Sequence, residues 1–135
     1  MAMSNQVLAY SESRPHRKLL AWQEAIRLTS LIYDMTRGFP SSEMHALTSQ
    51  MRRAAISVAS NIAEGAARGS KREFTHFLGI ARGSLSELDT QFLIAHQLGY
   101  ISSLDAADEV INRTFKLLNG LISKTRADSR QLTNH

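Results

Sequence analysis

Leu47-Thr48-Ser49-Gln50-Met51-Arg52-Arg53-Ala54-Ala55-Ile56-Ser57-Val58-Ala59-Ser60-Asn61-Ile62-Ala63-Glu64-Gly65 decides how this chain folds. Leu47, Met51, Ala54/Ala55, Val58 and Ile62 recur at spacings of three and four, the period of a helix with one buried side. At about 100° per residue, Gln50, Arg53, Ser57, Ser60, Asn61 and Glu64 gather on the opposite side. Arg52, Ile56, Ala59 and Ala63 belong to neither stripe. The apolar part of this helix is therefore wider than one bundle core uses.

A short linker leads to Ser70-x-x-Glu73, a capping box in which the serine oxygen meets the Glu73 amide and the glutamate reaches back. The helix that it opens carries Phe74, Leu78, Ala81, Leu85, Leu88, Phe92 and Ala95 in a nearly strict heptad seam. Leu98-Gly99-Tyr100 stops it, with Gly99 in the left-handed cap position. Gly79 and Gly83, each costing about 1 kcal/mol against alanine in a helix, suggest with Ala55, Ala59, Ala63 and Ala81 that helices approach closely. Upstream, residues 18–37 form a helix with a seam of Ala21, Ala25, Leu28, Ile32 and Met35. Gly38-Phe39-Pro40 ends it, the glycine in the left-handed position and the proline unable to continue. A short turn over 42–45 leads into the organising stretch. Downstream, a last helix starts after Ser102 or Ser103, with Asp105, Asp108 and Glu109 at its positive end and Lys124 and Arg126 at its negative end. Its seam is Leu104, Ala107, Ile111, Thr114, Leu118 and Leu121. Four amphipathic helices on short connections make an all-α, up-down-up-down four-helix bundle over 18–126, with a flexible arm at 1–17 and a flexible tail at 127–135.

The chain has 135 residues, enough for one domain. It has no cysteine, which excludes disulfides, thiolate metal sites and cysteine nucleophiles. No secretory signal or membrane-spanning run is present, so a cytoplasmic location is expected. The net charge of +4 and a pI near 9.9 favour an anionic partner.

Ala21-Trp22-Gln23-x-Ala25, Ile32-Tyr33, Phe39-Pro40, Leu47-Thr48-Ser49-Gln50-x-Arg52-Arg53-Ala54-Ala55-x-Ser57, Asn61-Ile62-Ala63-Glu64-Gly65, Phe74 with Phe77-Leu78, and Gly83-Ser84 with Glu87-Leu88 occur in that order. Over about 19–121 the chain resembles the four-helix-bundle family labelled 23S rRNA intervening-sequence protein, or S23-like. The resemblance implies a left-handed up-and-down bundle that assembles as a ring-like homopentamer. Some members of the family are encoded within intervening sequences of 23S rRNA genes. A related branch, the accessory variability proteins of diversity-generating retroelements, binds nucleic acid and a reverse transcriptase. That branch is strongly basic around its ring, and this chain departs from it in being only moderately basic. The family label is a genomic association and carries no activity.

The residues themselves point to assembly. Arg52, Ile56, Ala59 and Ala63 on the second helix form an off-core strip, and His76, Ile80, Gly83, Glu87 and Ile94 form another on the third. Extra apolar faces on adjacent helices are what an oligomer buries. Antiparallel pairing about Gly69 predicts an Arg52–Glu87 or Arg53–Glu87 contact, within or between subunits. A solvated arginine and an anion site are the alternatives. Arg68, Lys71 and Arg72 at the turn form a candidate nucleic-acid contact, against the simpler reading of a solvated loop, and Arg14, Arg17 and Lys18 make the end of the arm basic. Glu73-x-x-His76 has a di-iron spacing, but a second such pair is missing and Glu73 is already a cap. His96 is expected as a packed histidine near the core face. With no catalytic motif, cofactor or metal set, the expectation is a non-enzymatic homo-oligomeric scaffold, a pentamer by resemblance, with RNA or DNA as its candidate partner. The alternative is a protein–protein adaptor.

Overall fold

The computed structural model describes residues 14–133. Among them the chain forms α1 (Leu20–Thr36), α2 (Leu47–Ala66), α3 (Lys71–Gln97) and α4 (Asp105–Thr133), with short 3-10 helices at Pro15–Lys18 and Ser41–Glu43. Neighbours in sequence pack together, α4 closes back on α1, and the diagonal pairs α1–α3 and α2–α4 stand farther apart across the core. The pairing is antiparallel. Thr29 Oγ1 donates to the Ala55 carbonyl and Arg52 Nε to Thr36 Oγ1, so positions rise along α1 as they fall along α2. Ser57 Oγ lies 2.8 Å from Ser84 Oγ between α2 and α3, Arg82 Nη1 donates to Asn119 Oδ1 between α3 and α4, and Arg113 reaches Glu24 from α4 to α1.

The expected seams form the core. Ala21, Ala25, Leu28 and Ile32 of α1, Met51, Ala54, Ala55, Val58 and Ile62 of α2, Leu78, Ala81, Leu85, Leu88, Phe92 and Ala95 of α3, and Ala107, Ile111 and Leu118 of α4 are all buried. Ala59 is buried with them, so the inner face of α2 is broader than its main stripe. The Ser70 hydroxyl caps α3 by accepting from the Glu73 amide at 3.1 Å. Gly99, at φ +81°, ends α3 in the left-handed region that an L side chain avoids.

Three details differ from the sequence expectation. Gly38 does not take a positive φ, and α1 ends instead through tight closures, Gly38 N–H to the Met35 carbonyl and Phe39 N–H to the Thr36 carbonyl. Phe39 is then buried and meets the Tyr100 ring at 5.4 Å, tying the α1–α2 connection to the end of α3. Next, α4 runs on to Thr133 rather than fraying from 127, because no glycine or proline interrupts it there and Thr125 is buried. Of the expected tail, residues 134–135 lie outside the described residues, as do residues 1–13 of the expected arm. Residues 15–17 of that arm are in the first 3-10 helix, packed on α1 and α2.

The third difference concerns close approach. An added Cβ at Gly79 or Gly83 would meet nothing within 4 Å, so neither glycine brings helices together within the chain. Gly65 does. A Cβ there would lie 2.7 Å from Phe77 Cβ, 3.0 Å from Phe74 Cδ1 and 3.3 Å from the Phe74 carbonyl oxygen. The α2–α3 corner closes only because that position has no side chain. Gly65→Ala is expected to cost about 2 kcal/mol through overpacking, whereas Gly120→Ala, in open space on α4, is expected to gain up to about 1 kcal/mol of helix propensity. Urea unfolding of the two variants beside the parent checks the opposite signs.

Candidate nucleic-acid interface

The antiparallel register gathers one end of the bundle from four places: the start of α1, the end of α2, the start of α3 and the end of α4. Lys71 and Arg72 occupy the first turn of α3 and are exposed. Cations at a helix N-terminus oppose its dipole and typically cost about 0.3–1 kcal/mol each at low salt, so local helix stability does not account for them. Arg68 donates to Glu64 Oε1 at 3.0 Å and lies over the Phe77 ring at 4.7 Å. That aromatic seat holds its guanidinium at the rim.

The 3-10 helix Pro15–Lys18 joins this end. Gln23 Nε2 donates to the Arg17 carbonyl at 2.8 Å, and the His16 ring meets Trp22 edge-on at 5.2 Å. Pro15 and Leu19 then line a groove of ≈ 490 Å³ together with Ala66, Arg68, Gly69, Ser70, Lys71 and Phe74. The sequence showed the basic arm and the basic turn as separate features. The structure brings Pro15 and Leu19, the chain neighbours of Arg14 and Lys18, into one groove with Arg68 and Lys71. Exposed Lys124 and Arg126 arrive at the same end, because Arg82–Asn119 sets α4 antiparallel to α3. The imidazole of His16 is held below the usual histidine value by its burial and by the positive charges of Arg17 and Arg14.

At the opposite end of α2 lies a second groove of ≈ 220 Å³, lined by Tyr33, Met44, His45, Thr48, Ser49, Arg52, Arg53 and Ile56. Arg52 faces α1 here. Its Nε donates to Thr36 Oγ1 at 2.9 Å and its guanidinium lies 4.5 Å from the centre of the Tyr33 ring. The expected Arg52–Glu87 or Arg53–Glu87 contact is not made within the chain: Glu87 accepts from Gln91 Nε2 instead, and Arg53 is exposed. Thr48 is only 1% exposed, and its hydroxyl has no hydrogen-bond partner among the described residues. Leaving such a group unsatisfied typically costs about 1–3 kcal/mol.

Of the residues expected on the off-core strips, Ile56 is 43%, Ile80 40% and Ile94 45% exposed. Glu87 and Gly83 are exposed, Ala63 is half-buried and Ala59 belongs to the core. Leu93 and Leu98 extend the exposed apolar surface of α3. His96 is exposed rather than packed, and His76 is exposed with its ring against Phe77 at 5.5 Å. No cluster of three or more His, Asp or Glu suited to a metal ion occurs among the described residues, nor is any described helix long and apolar enough to cross a membrane.

A buried charge was not anticipated. Glu24, 4% exposed, sits between α1 and α4, accepting from Arg27 Nη1 at 3.1 Å and from Arg113 Nε at 3.2 Å. Its position three after Ala21 and four before Leu28, on the core side of α1, was the available signal.

These features define an all-helical bundle protein with basic residues grouped at one end. The family profile for the 23S rRNA-intervening sequence protein matches residues 17–122, and the chain belongs to that family. No curated protein matches the chain.

Two outcomes are expected from this geometry. Arg27→Ala or Arg113→Ala alone should cost about 1 kcal/mol or less, each arginine being partly solvated. The double variant should cost about 3 kcal/mol or more, because Glu24 is then buried without a partner, and Glu24→Gln should recover part of that loss. A double-mutant cycle in urea measures the non-additivity. The second outcome concerns pH. Since the docked state lowers the affinity of His16 for a proton, the contribution of His16 to docking of the 3-10 helix is full above pH 6.5 and is lost as pH falls through the lowered value. Emission from Trp22, the single tryptophan, should change below pH 6.5, and His16→Ala should abolish that transition.

Proposed function

We propose that this protein is a non-enzymatic, cytoplasmic homo-oligomeric scaffold, pentameric in keeping with the family resemblance, whose basic end receives the phosphates of RNA or DNA. The observation that carries the reading is the convergence of Arg14, Lys18, Arg68, Lys71, Arg72, Lys124 and Arg126 on one end of the bundle. Phosphate contacts of this kind give sequence-independent affinity through counterion release. Self-assembly is supported by the exposed Ile56, Ile80 and Ile94, which lie on strips that the chain's own core leaves uncovered. Repetition around a ring would multiply the cationic end and turn modest contacts into avid ones.

A second reading, a protein adaptor without nucleic acid, is favoured by the exposed apolar Leu93, Ile94 and Leu98 on α3.

Light scattering behind size exclusion, at low and high salt and with or without short structured RNA, tests both. The expected result is a particle five times the 15.0 kDa chain mass that shifts with RNA at low salt. Replacing Arg68, Lys71 and Arg72 by glutamine should weaken RNA binding and flatten its salt dependence, by about 0.7 in log–log slope for each single-strand phosphate no longer neutralised. The same particle with no RNA shift favours the adaptor, and a monomer overturns both readings.

A further inference from the structure

Building on the nucleic-acid reading above, we infer that the groove between the first 3-10 helix and the α2–α3 corner receives one unpaired base of a single-stranded nucleic acid, while Lys71 and Arg68 at its rim take the flanking phosphates.

The groove has a volume of ≈ 490 Å³, within the roughly 300–1,000 Å³ of ordinary small-ligand sites. Its two sides come from different parts of the chain. Pro15 and Leu19 supply one, and Ala66, Gly69 and Phe74 supply the other. Both are held in place by contacts within the chain. The 3-10 helix is tied to α1 by the bond from Gln23 Nε2 to the Arg17 carbonyl and by the edge-on contact of His16 with Trp22. Phe74 is seated against Gly65, its Cδ1 only 3.0 Å from where a Cβ would stand. A slot already formed loses little conformational freedom when it is filled.

The surroundings of this apolar slot are cationic. Lys71 lines it and Arg72 follows, both exposed. Neither side chain makes a hydrogen bond or ion pair among the described residues. Arg68 lines the slot too, but shares its charge with Glu64, which leaves Lys71 as the freer phosphate contact. Arg14 and Lys18 are exposed beside Pro15 and Leu19 in the chain. No acidic residue lines the groove, and neither does Ile56, Ile80 or Ile94 of the off-core strips.

Phosphates by themselves call only for a charged surface. A duplex offers little more to this end of the bundle, since the faces of its bases are hidden in the stack. An apolar slot with an aromatic side chain, ringed by cations, fits a ligand that carries a flat ring next to each anion. An unpaired nucleotide has that composition, whereas an acidic peptide brings charge without the ring. Stacking on an aromatic side chain tolerates any base, because every base has a π face, so little sequence preference is expected.

Fluorescence anisotropy with the full-length chain tests this on three labelled probes carrying equal numbers of phosphates: single-stranded oligouridylate, the same strand with abasic riboses, and a blunt RNA duplex. Oligouridylate should bind about tenfold more tightly than the abasic strand, as expected for one stacked base. Gly69 lines the groove at an ordinary φ, and an added Cβ there meets nothing within 4 Å. Gly69→Leu should therefore fold normally, crowd the slot and erase the tenfold difference while leaving duplex affinity unchanged. Lys71→Gln should instead weaken all three probes and lower the single-strand salt slope by about 0.7. Equal affinity for oligouridylate and the abasic strand, or a difference that survives Gly69→Leu, overturns the base slot and leaves the cationic end standing. Failure of all three probes to bind overturns the nucleic-acid reading and the slot together. A Gly69→Leu variant with altered particle mass and unchanged RNA binding also overturns the slot, since the groove is then a contact between copies of the chain.

Discussion

The bundle depends on how closely α2 can lie against its neighbours. Gly65 admits Phe74 and Phe77 at the α2–α3 corner, and Ala54, Ala55 and Ala59 keep the rest of that helix thin. A thin helix serves two partners at once. It exchanges Ser57–Ser84 with α3 on one side and Thr29–Ala55 and Arg52–Thr36 with α1 on the other. The α2–α3 contact is the most extensive in the fold, and α4 then needs only to close the remaining side. Larger side chains along α2 would force its neighbours apart and open the core, because interiors are close-packed and tolerate neither gap nor overlap.

Polar groups follow the same economy. Thr29, Thr36 and Thr114 sit at or near the core and return their hydroxyls to carbonyls one turn back, at 2.7–2.8 Å. Such bonds satisfy a hydroxyl within its own helix, and Thr29 and Thr36 each add a second bond to α2. Glu24 cannot do this, since a carboxylate only accepts, and so it draws Arg27 from its own helix and Arg113 from α4. Of the two, the Arg113 bond crosses between helices, and it is directional where the surrounding hydrophobic contacts of α4 on α1 are not.

Much of this was legible in the residues. The four seams follow from the three-four period, and the α3 cap and Gly99 turn follow from local chemistry that needs no tertiary context. What escaped were facts of register and rotation. Seven glycines look alike in a string, and only the helix crossing shows that Gly65 meets two phenylalanines while Gly79 and Gly83 meet nothing. Arg52 lies three residues before Ala55, which puts it on the α1 side of α2, and the expectation of a Glu87 partner within the chain looked toward α3 instead. The basic end was visible only as fragments, because the docking of Pro15–Lys18 and the reach of α4 are tertiary outcomes. The exposed strips of Ile56, Ile80 and Ile94 were legible, since residues off both stripes of a helix have nowhere to hide in a single bundle.

The antiparallel register also sorts charge along the long axis. Arg14, Lys18, Arg68, Lys71, Arg72, Lys124 and Arg126 outnumber Glu64, Glu73 and Asp128 at one end, whereas Asp34, Glu43, Asp105, Asp108 and Glu109 outnumber Arg37, Arg52 and Arg53 at the other. A body charged in this way has a permanent electric moment and feels a torque in an external field. Near a polyanion it would turn its basic pole inward before any contact forms. The benefit would be kinetic, raising the share of encounters that arrive correctly oriented, and it would fade once salt shortens the screening length below about 10 Å.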